Sequence, residues 1–371
     1  MTLTLAHTEN SLGWGGQEIR ITQELLAMRK RGHRVMLFTP TNSHIREEAL
    51  RHGITVFPLC SNRLRYPLTI ASLARRFRQE RVTVVHTHSS RDSYLGGIAA
   101  RLAGVPLVIR ARHIDVDYPN RLVSRWAYAH LPHHVTTTSQ KISQGLIEKL
   151  GLDPNRLTCI PTGIDLHTYR PATSPVLRSE LLTDESVHLV GMISVLRSWK
   201  GHRIFLEAAR SILDQRSDVS FFIAGEGPMR ELIQQWITEL SLSAKVKLLG
   251  HRDDVPDLLA ALDVLVLPSL AHEGIPQIVL QAQACGKAVV GSLTGGIPEV
   301  ITDGQTGLLA PTGDADATAK AILTLLENTS AREKLGQAAR ALAETRHGID
   351  RMCCNTEALY DRYLKLPRPS A

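Results

Sequence analysis

The chain has few cysteines and no pairing pattern among them. Cys60, Cys159, Cys285, Cys353 and Cys354 are odd in number and form no CxxC pair, so they read as reduced thiols of a cytoplasmic protein. Long apolar runs are also missing. The strongest, Leu258 to Leu270, is broken by Asp263 and Pro268 and falls short of the roughly 18 residues that a membrane span needs. The opening MTLTLAHTEN has neither a basic n-region nor a small-residue cleavage site, so nothing in it directs export. Aromatics make up 5% of the chain and interleave with no basic stripe. Zinc-finger spacing is absent too, so no nucleic-acid partner is expected.

What is present is a globular composition, 43% hydrophobic and 21% charged, which argues against disorder. At 371 residues the chain is longer than one core usually serves, so two domains are expected. The net charge of +7 is unevenly spread: residues 1–170 hold 23 Lys and Arg against 12 Asp and Glu, the remainder 20 against 24. The basic half predicts an anionic partner, either a phosphorylated substrate or a phospholipid surface. Solvated, Arg-rich helix faces are the plain alternative.

Short β-branched runs alternate with amphipathic stretches, the pattern of an α/β fold with parallel sheets. Leu3–Ala6, Val35–Thr39, Val82–His86, Leu107–Arg110 and Val135–Thr138 are the first strand series; HLVGMISV, SFFIAG, VKLLG, VLVLPS and AVVGS are the second. Between them lies a Pro-, Ser- and Thr-rich segment read as a linker, residues 171–186. The expected architecture is two Rossmann-like, doubly wound domains facing across a cleft, 1–170 and 187–348. A last helix, 349–366, packs back on the first domain.

Such sheets bind ligands beyond the carboxyl ends of their strands, and several segments sit there. Gly15 and Gly16 follow the first strand and leave backbone amides open to a phosphate at a helix N-terminus; a tight turn is the alternative. Arg197 and Lys200 follow the strand that opens the second half, where two cations can clamp a diphosphate. The segment PSLAHEGIPQIVLQ carries the strongest signal. Glu273 precedes a helix that starts near Pro276 and offers a carboxylate to sugar hydroxyls, beside the free amides of Gly274, Ile275, Gln277 and Ile278, with Gln281 further along. His113 ends a strand and faces the same region. His86 and His88 have a metal-ligand spacing but no third ligand in the sequence, so no metal is expected. Asp115/Asp117 and Asp314/Asp316 match DxD and are read as turn or helix-cap devices.

The ordered set GGQE, VVHTHSS, WKGHRIFLEAA, IAGEGP, LLGHRDDVPDLLAALDVLVLPS, HEGIPQIVLQAQACGKAVV and GGIPEVITDGQTGLLA resembles the retaining, nucleotide-sugar-dependent glycosyltransferases of family 4, whose fold is GT-B. The resemblance runs almost end to end. It implies that Gly15 and Gly16 approach the donor diphosphate, that Lys200 contacts it, that Glu273 touches the transferred sugar and that His113 sits beside the reacting centre. It also implies no cofactor, a glycan or glycolipid acceptor, and a place at the inner membrane face. Two positions depart from the family pattern: Gln281 stands for the second glutamate of the family's pair, and Val195 for its diphosphate arginine, with Arg197 as the expected substitute. Arg63, Arg65, Arg75 and Arg76 lie near Tyr66 and Leu68 and suit an anionic acceptor or lipid surface. A nucleotide-sugar 2-epimerase of the same fold, or a sugar-nucleotide binder without turnover, are the rival readings.

Overall fold

The computed structural model describes residues 2–60, 62–115, 121–181 and 186–365. Two compact units emerge: residues 1–163 with 349–371, and residues 164–348. Asp117 of the first DxD match lies outside the described residues.

Unit 1 holds a seven-stranded sheet: β1 (Thr4–Thr8), β2 (Arg34–Thr39), β3 (Thr55–Pro58), β4 (Val84–Thr87), β5 (Leu107–Arg112), β6 (His134–Thr137) and β7 (Leu157–Cys159). Their order is β3-β2-β1-β4-β5-β6-β7, and every pairing is parallel. Strands β4, β5 and β6 are buried at every position rather than at alternate ones, because helices cover both faces of a parallel sheet. Two strands, β3 and β7, escaped the sequence pattern; both are short edge strands, and β3 is only half-buried.

The helix Ile349–Leu364 belongs to this unit. Its Met352, Cys353, Leu359 and Tyr360 share a core with Leu5, Ile21 and Leu25. The Tyr360 hydroxyl meets His86 Nε2 at 2.8 Å.

Unit 2 holds six parallel strands: β8 (His188–Ile193), β9 (Val219–Ala224), β10 (Val246–Gly250), β11 (Val264–Leu267), β12 (Ala288–Ser292) and β13 (Leu308–Ala310). They run in the order β10-β9-β8-β11-β12-β13. The short β13 was not legible in the sequence. Asp314, just past it, accepts a hydrogen bond from the Ala317 amide and caps the helix Ala315–Glu327. Residues 171–186, read as a linker, contain the helix Pro175–Leu181. Its Leu177 and Leu181 are buried in the core of unit 2, because two leucines four residues apart share one helix face.

Strand order reverses between β1 and β4 in unit 1, and between β8 and β11 in unit 2. Open parallel sheets take their ligands at such reversals, outside the carboxyl ends of the strands.

Candidate active site

In unit 2, three loops leave β8, β11 and β12 side by side and converge on Glu273. The loop after β8 runs through Arg197 and a turn at Ser198–Lys200 to Gly201, whose φ is +78°. A Cβ on Gly201 would lie 1.9 Å from the Pro268 carbonyl oxygen, so only glycine lets this loop lie against the one after β11. The Leu270 amide donates to the Trp199 carbonyl at 2.7 Å and joins the same two loops. From the third loop, the Gly296 amide donates to the Glu273 carbonyl at 3.1 Å. Gly295, at φ +56°, approaches so closely that a Cβ would stand 2.3 Å from that oxygen.

The Glu273 side chain is held as firmly as its backbone. Lys200 Nζ lies 2.6 Å from Oε1, and the Ser269 hydroxyl donates to the same oxygen at 2.6 Å. Ser269 is itself fixed, because the Ser292 hydroxyl donates to its carbonyl at 2.5 Å. Glu273 is 5% exposed, so its carboxylate depends on these partners for stabilisation. Burial, with Lys200 next to it, lowers the pKa of His202 to about 4 and keeps that ring neutral. Arg197 is exposed; its guanidinium lies over the Trp199 ring at 5.8 Å and does not enter the Lys200–Glu273 contact. His272 takes the left-handed φ of +60° and stands edge-on to Trp199, ring centroids 5.7 Å apart. Gly274, Ile275, Pro276 and Gln281 are buried and Gln277 and Ile278 half-buried; the Ile275 side chain packs in the core beside Val279 and Leu280.

In unit 1 the corresponding carboxyl edge is built of neutral imidazoles. His7 on β1 is in register with His86 on β4, and their rings lie parallel with centroids 4.6 Å apart. His7 Nδ1 meets His88 Nε2 at 2.9 Å, and His88 Nδ1 meets His113 Nε2 at 2.9 Å. Burial first, then repulsion from Arg20 and among the rings themselves, holds His7, His88 and His113 well below the ordinary imidazole range; His86 is brought down to about 3. His7 thus supplies the third imidazole that the HxH pair lacked in sequence, with nitrogens of His7, His86 and His88 within 4.8 Å of one another. In this structure His7 Nδ1 bonds His88 Nε2 and His86 Nε2 bonds Tyr360, while His7 Nε2 is buried without a hydrogen-bond partner among the described residues.

Nearby, Gly15 is extended and opens the helix Gly16–Lys30. Glu9 accepts from the Ser11 amide at 2.8 Å and from Gln17 Nε2 at 2.5 Å. Burial and the Asp92 carboxylate push Glu9 up to about 8, and burial raises Asp92 to about 6.

Comparison with known proteins gives this geometry a family. Residues 174–342 match the family described as Glycosyl transferases group 1, and residues 14–168 match Glycosyltransferase Family 4. The Escherichia coli UDP-Gal:alpha-D-GlcNAc-diphosphoundecaprenol alpha-1,3-galactosyltransferase is 31% identical over 273 residues, 70% of each chain. The chain is a family 4 glycosyltransferase. A GDP-mannose-dependent monoacylated alpha-(1-6)-phosphatidylinositol monomannoside mannosyltransferase of Corynebacterium glutamicum is 26% identical, over 84% of this chain and 85% of that one. The solved structure of a glycosyltransferase from Rickettsia africae superposes with a TM-score of 0.88 at 20% identity, covering 99% of this chain and 100% of that one. The glycosyltransferase therefore has the α/β GT-B fold expected from its sequence, and it is an enzyme of glycosyl transfer.

Of the residues picked out in the sequence, the structure brings Lys200 and Glu273 together and leaves Arg197 outside their contact. Sequence reading of this glycosyltransferase missed Ser269, Trp199 and His272 in unit 2, and His7, Glu9 and Asp92 in unit 1. A hydroxyl directly after the strand VLVLP was the one signal for Ser269. No signal pointed to His7, whose partners appear only when β1 is paired with β4. Arg63 and Arg65 are exposed around Leu64, which is 93% exposed, and near Leu68, which is 71% exposed. Arg75 and Arg76 are exposed as well, and Arg76 is engaged with Glu80 at 3.3 Å and with the Phe57 ring.

Proposed function

We propose that this glycosyltransferase moves a sugar from a nucleotide-sugar to a lipid-linked or other surface-glycan acceptor, with retention of configuration and without a metal. The observation that carries the donor reading is the fixed Lys200–Glu273–Ser269 arrangement at the strand-order reversal of unit 2. A lysine supplies positive charge for a diphosphate, and a buried carboxylate beside it accepts from sugar hydroxyls. The E. coli relative is named for UDP-Gal and the C. glutamicum relative for GDP-mannose, and both names carry lipid-borne acceptors. These names support the donor and acceptor classes alike.

In this reading Lys200 meets the charge that builds on the departing diphosphate, a preorganised stabilisation that does the work of a metal cation, and Arg197 joins it only by leaving the Trp199 face. The backbone amides of Gly274, Ile275, Gln277 and Ile278 face the donor, Pro276 having no N–H, and the Gln281 amide oxygen accepts from a ribose hydroxyl. Glu273 orients the sugar and steadies its oxocarbenium-like carbon. In unit 1, Gly15 and Gly16 offer backbone amides to phosphate at a helix N-terminus. His113, kept neutral by burial, serves the reacting centre as a hydrogen-bonding group rather than as a charge.

The acceptor side is proposed for Arg63, Arg65, Arg75 and Arg76. Exposed Leu64 and Leu68 lie among these arginines, and Leu122, 80% exposed, with Trp126 adds apolar surface on the helix Arg121–His130 of the same unit. Cations beside exposed apolar side chains suit an anionic bilayer surface. No helix among the described residues is long and apolar enough to cross a membrane. Peripheral contact at the inner membrane face is therefore the proposed location.

The test is a thermal-shift screen of UDP-, GDP- and ADP-sugars, followed by product analysis with the sugar that binds. A rise in melting temperature with one base, and transfer to an isoprenoid-linked or glycolipid acceptor with the anomeric configuration kept, is expected. Formation of an epimer from donor alone would replace this reading with that of an isomerase.

A further inference from the structure

We infer that the Lys200–Glu273 pair makes the donor site select an intact nucleotide-sugar over the spent nucleoside diphosphate. The inference rests on the donor reading above and adds a discrimination to it. Lys200 is the cation offered to the diphosphate, yet its Nζ already sits 2.6 Å from a buried carboxylate. A diphosphate arriving at Lys200 has two ways to bind. It draws Nζ away and leaves Glu273 buried with one neutral side-chain donor among the described residues, the Ser269 hydroxyl. Alternatively it shares Nζ, and two anions then stand on either side of one ammonium group. Both outcomes disfavour a bare diphosphate, because a buried carboxylate is costly without its cation and like charges repel strongly where solvent is thin.

Glu273 cannot follow Lys200 to escape this. Its carbonyl is bonded to the Gly296 amide, its backbone is wedged against Gly295, and its carboxylate is tied to Ser269, which Ser292 holds. What relieves the carboxylate is a set of new donors at the same place, which the hydroxyls of an attached sugar provide. An intact donor therefore repairs the pair that its own diphosphate disrupts, and a diphosphate stripped of sugar does not. The same asymmetry acts after transfer: the nucleoside diphosphate left behind faces an unrelieved carboxylate, which speeds its departure.

The experiment compares Kd values by calorimetry for UDP, GDP and ADP and for their glucose, galactose and mannose forms, in wild type and in Glu273→Gln. The amide keeps the shape and removes the charge. Nucleoside diphosphate is expected to bind at least threefold more tightly to Glu273→Gln than to wild type, while the intact donor binds equally or more weakly. A charge-neutral loss of structure would weaken both. Ser269→Ala, which removes the donor left to the carboxylate once Lys200 is drawn away, is expected to shift the ratio of the two Kd values the opposite way, further against the nucleoside diphosphate. It also serves as the test if Glu273→Gln fails to fold. Unchanged or weaker nucleoside diphosphate binding in Glu273→Gln, or an unaltered ratio in Ser269→Ala, overturns the inference while leaving the donor reading in place. Wild-type protein that binds none of these nucleotides or sugars overturns the donor reading itself.

Discussion

The two units place polar groups at the same topological position, the reversal of strand order, and treat charge there in opposite ways. Unit 2 keeps a full ion pair: Lys200 and Glu273 are largely buried but within hydrogen-bond reach, and a serine adds a further donor. Unit 1 gathers four imidazoles at β1, β4 and β5, with no carboxylate among the hydrogen bonds described for their side chains, and burial strips them of their protons. The difference shows how a buried site reaches electrical balance. With an opposite charge at contact distance the groups stay ionised; without one, the proton leaves and the site becomes a neutral hydrogen-bond network.

The charged edge is where substitution should cost most. Lys200→Ala and Glu273→Ala are each expected to cut turnover at least tenfold, with an unchanged circular dichroism spectrum. Wild-type rates in either variant would remove the ion pair from the chemistry. Next comes the packing that locks this edge. Gly201→Ala forces a Cβ against the Pro268 carbonyl at a backbone angle that side chains avoid, and a fall of about 5 °C in the melting temperature is expected.

The neutral edge should respond to pH instead. His86 titrates near 3 in the folded chain and near 6.5 when unfolded, so between those values the unfolded state binds the extra proton. Stability is therefore whole above about pH 6.5 and falls as the medium is acidified, by up to about 1.4 kcal/mol per pH unit for this group. Glu9 works the other way, because its raised value favours the folded state at low pH and loses that advantage as pH climbs from about 4.5 towards 8. Melting temperatures at pH 5 and pH 7 should thus differ less in His86→Gln than in wild type. An equal slope in both would mean that the ring is protonated inside the fold.

The smallest effects belong to the surface. Arg63→Ser with Arg65→Ser is expected to lower co-sedimentation with anionic liposomes a few-fold. Arg76→Ser, whose side chain already pairs with Glu80, should change it little.

Much of this comparison was open to reading in the sequence, and the rest was hidden for definite reasons. Buried strands such as VLVLP and AVVGS stand out as continuous apolar runs between helical stretches. The strands β3, β7 and β13 do not, since three or four half-buried residues at or near a sheet edge carry no period. The loops bearing Lys200 and Glu273 were recognisable as strand ends. Their meeting was not, because 73 residues separate them and the adjacency of β8 and β11 decides it. Arg197 was expected beside Lys200 from its place in the loop; the Trp199 face under its guanidinium shows why spacing alone does not orient a side chain. The segment 171–186 looked like a tether by composition, while the paired leucines that dock it are two residues among many polar ones.

The helix Ile349–Leu364 has a consequence for the order in which this protein is made. Most of unit 1 precedes unit 2 in the chain, yet Met352, Leu359 and Tyr360, which close its core over Leu5, Ile21 and Leu25, are synthesised only after the whole of unit 2. Unit 2 is a continuous stretch and has all its strands earlier. The half synthesised first must therefore wait, part of its apolar surface uncovered, until unit 2 and the helix after it have been made.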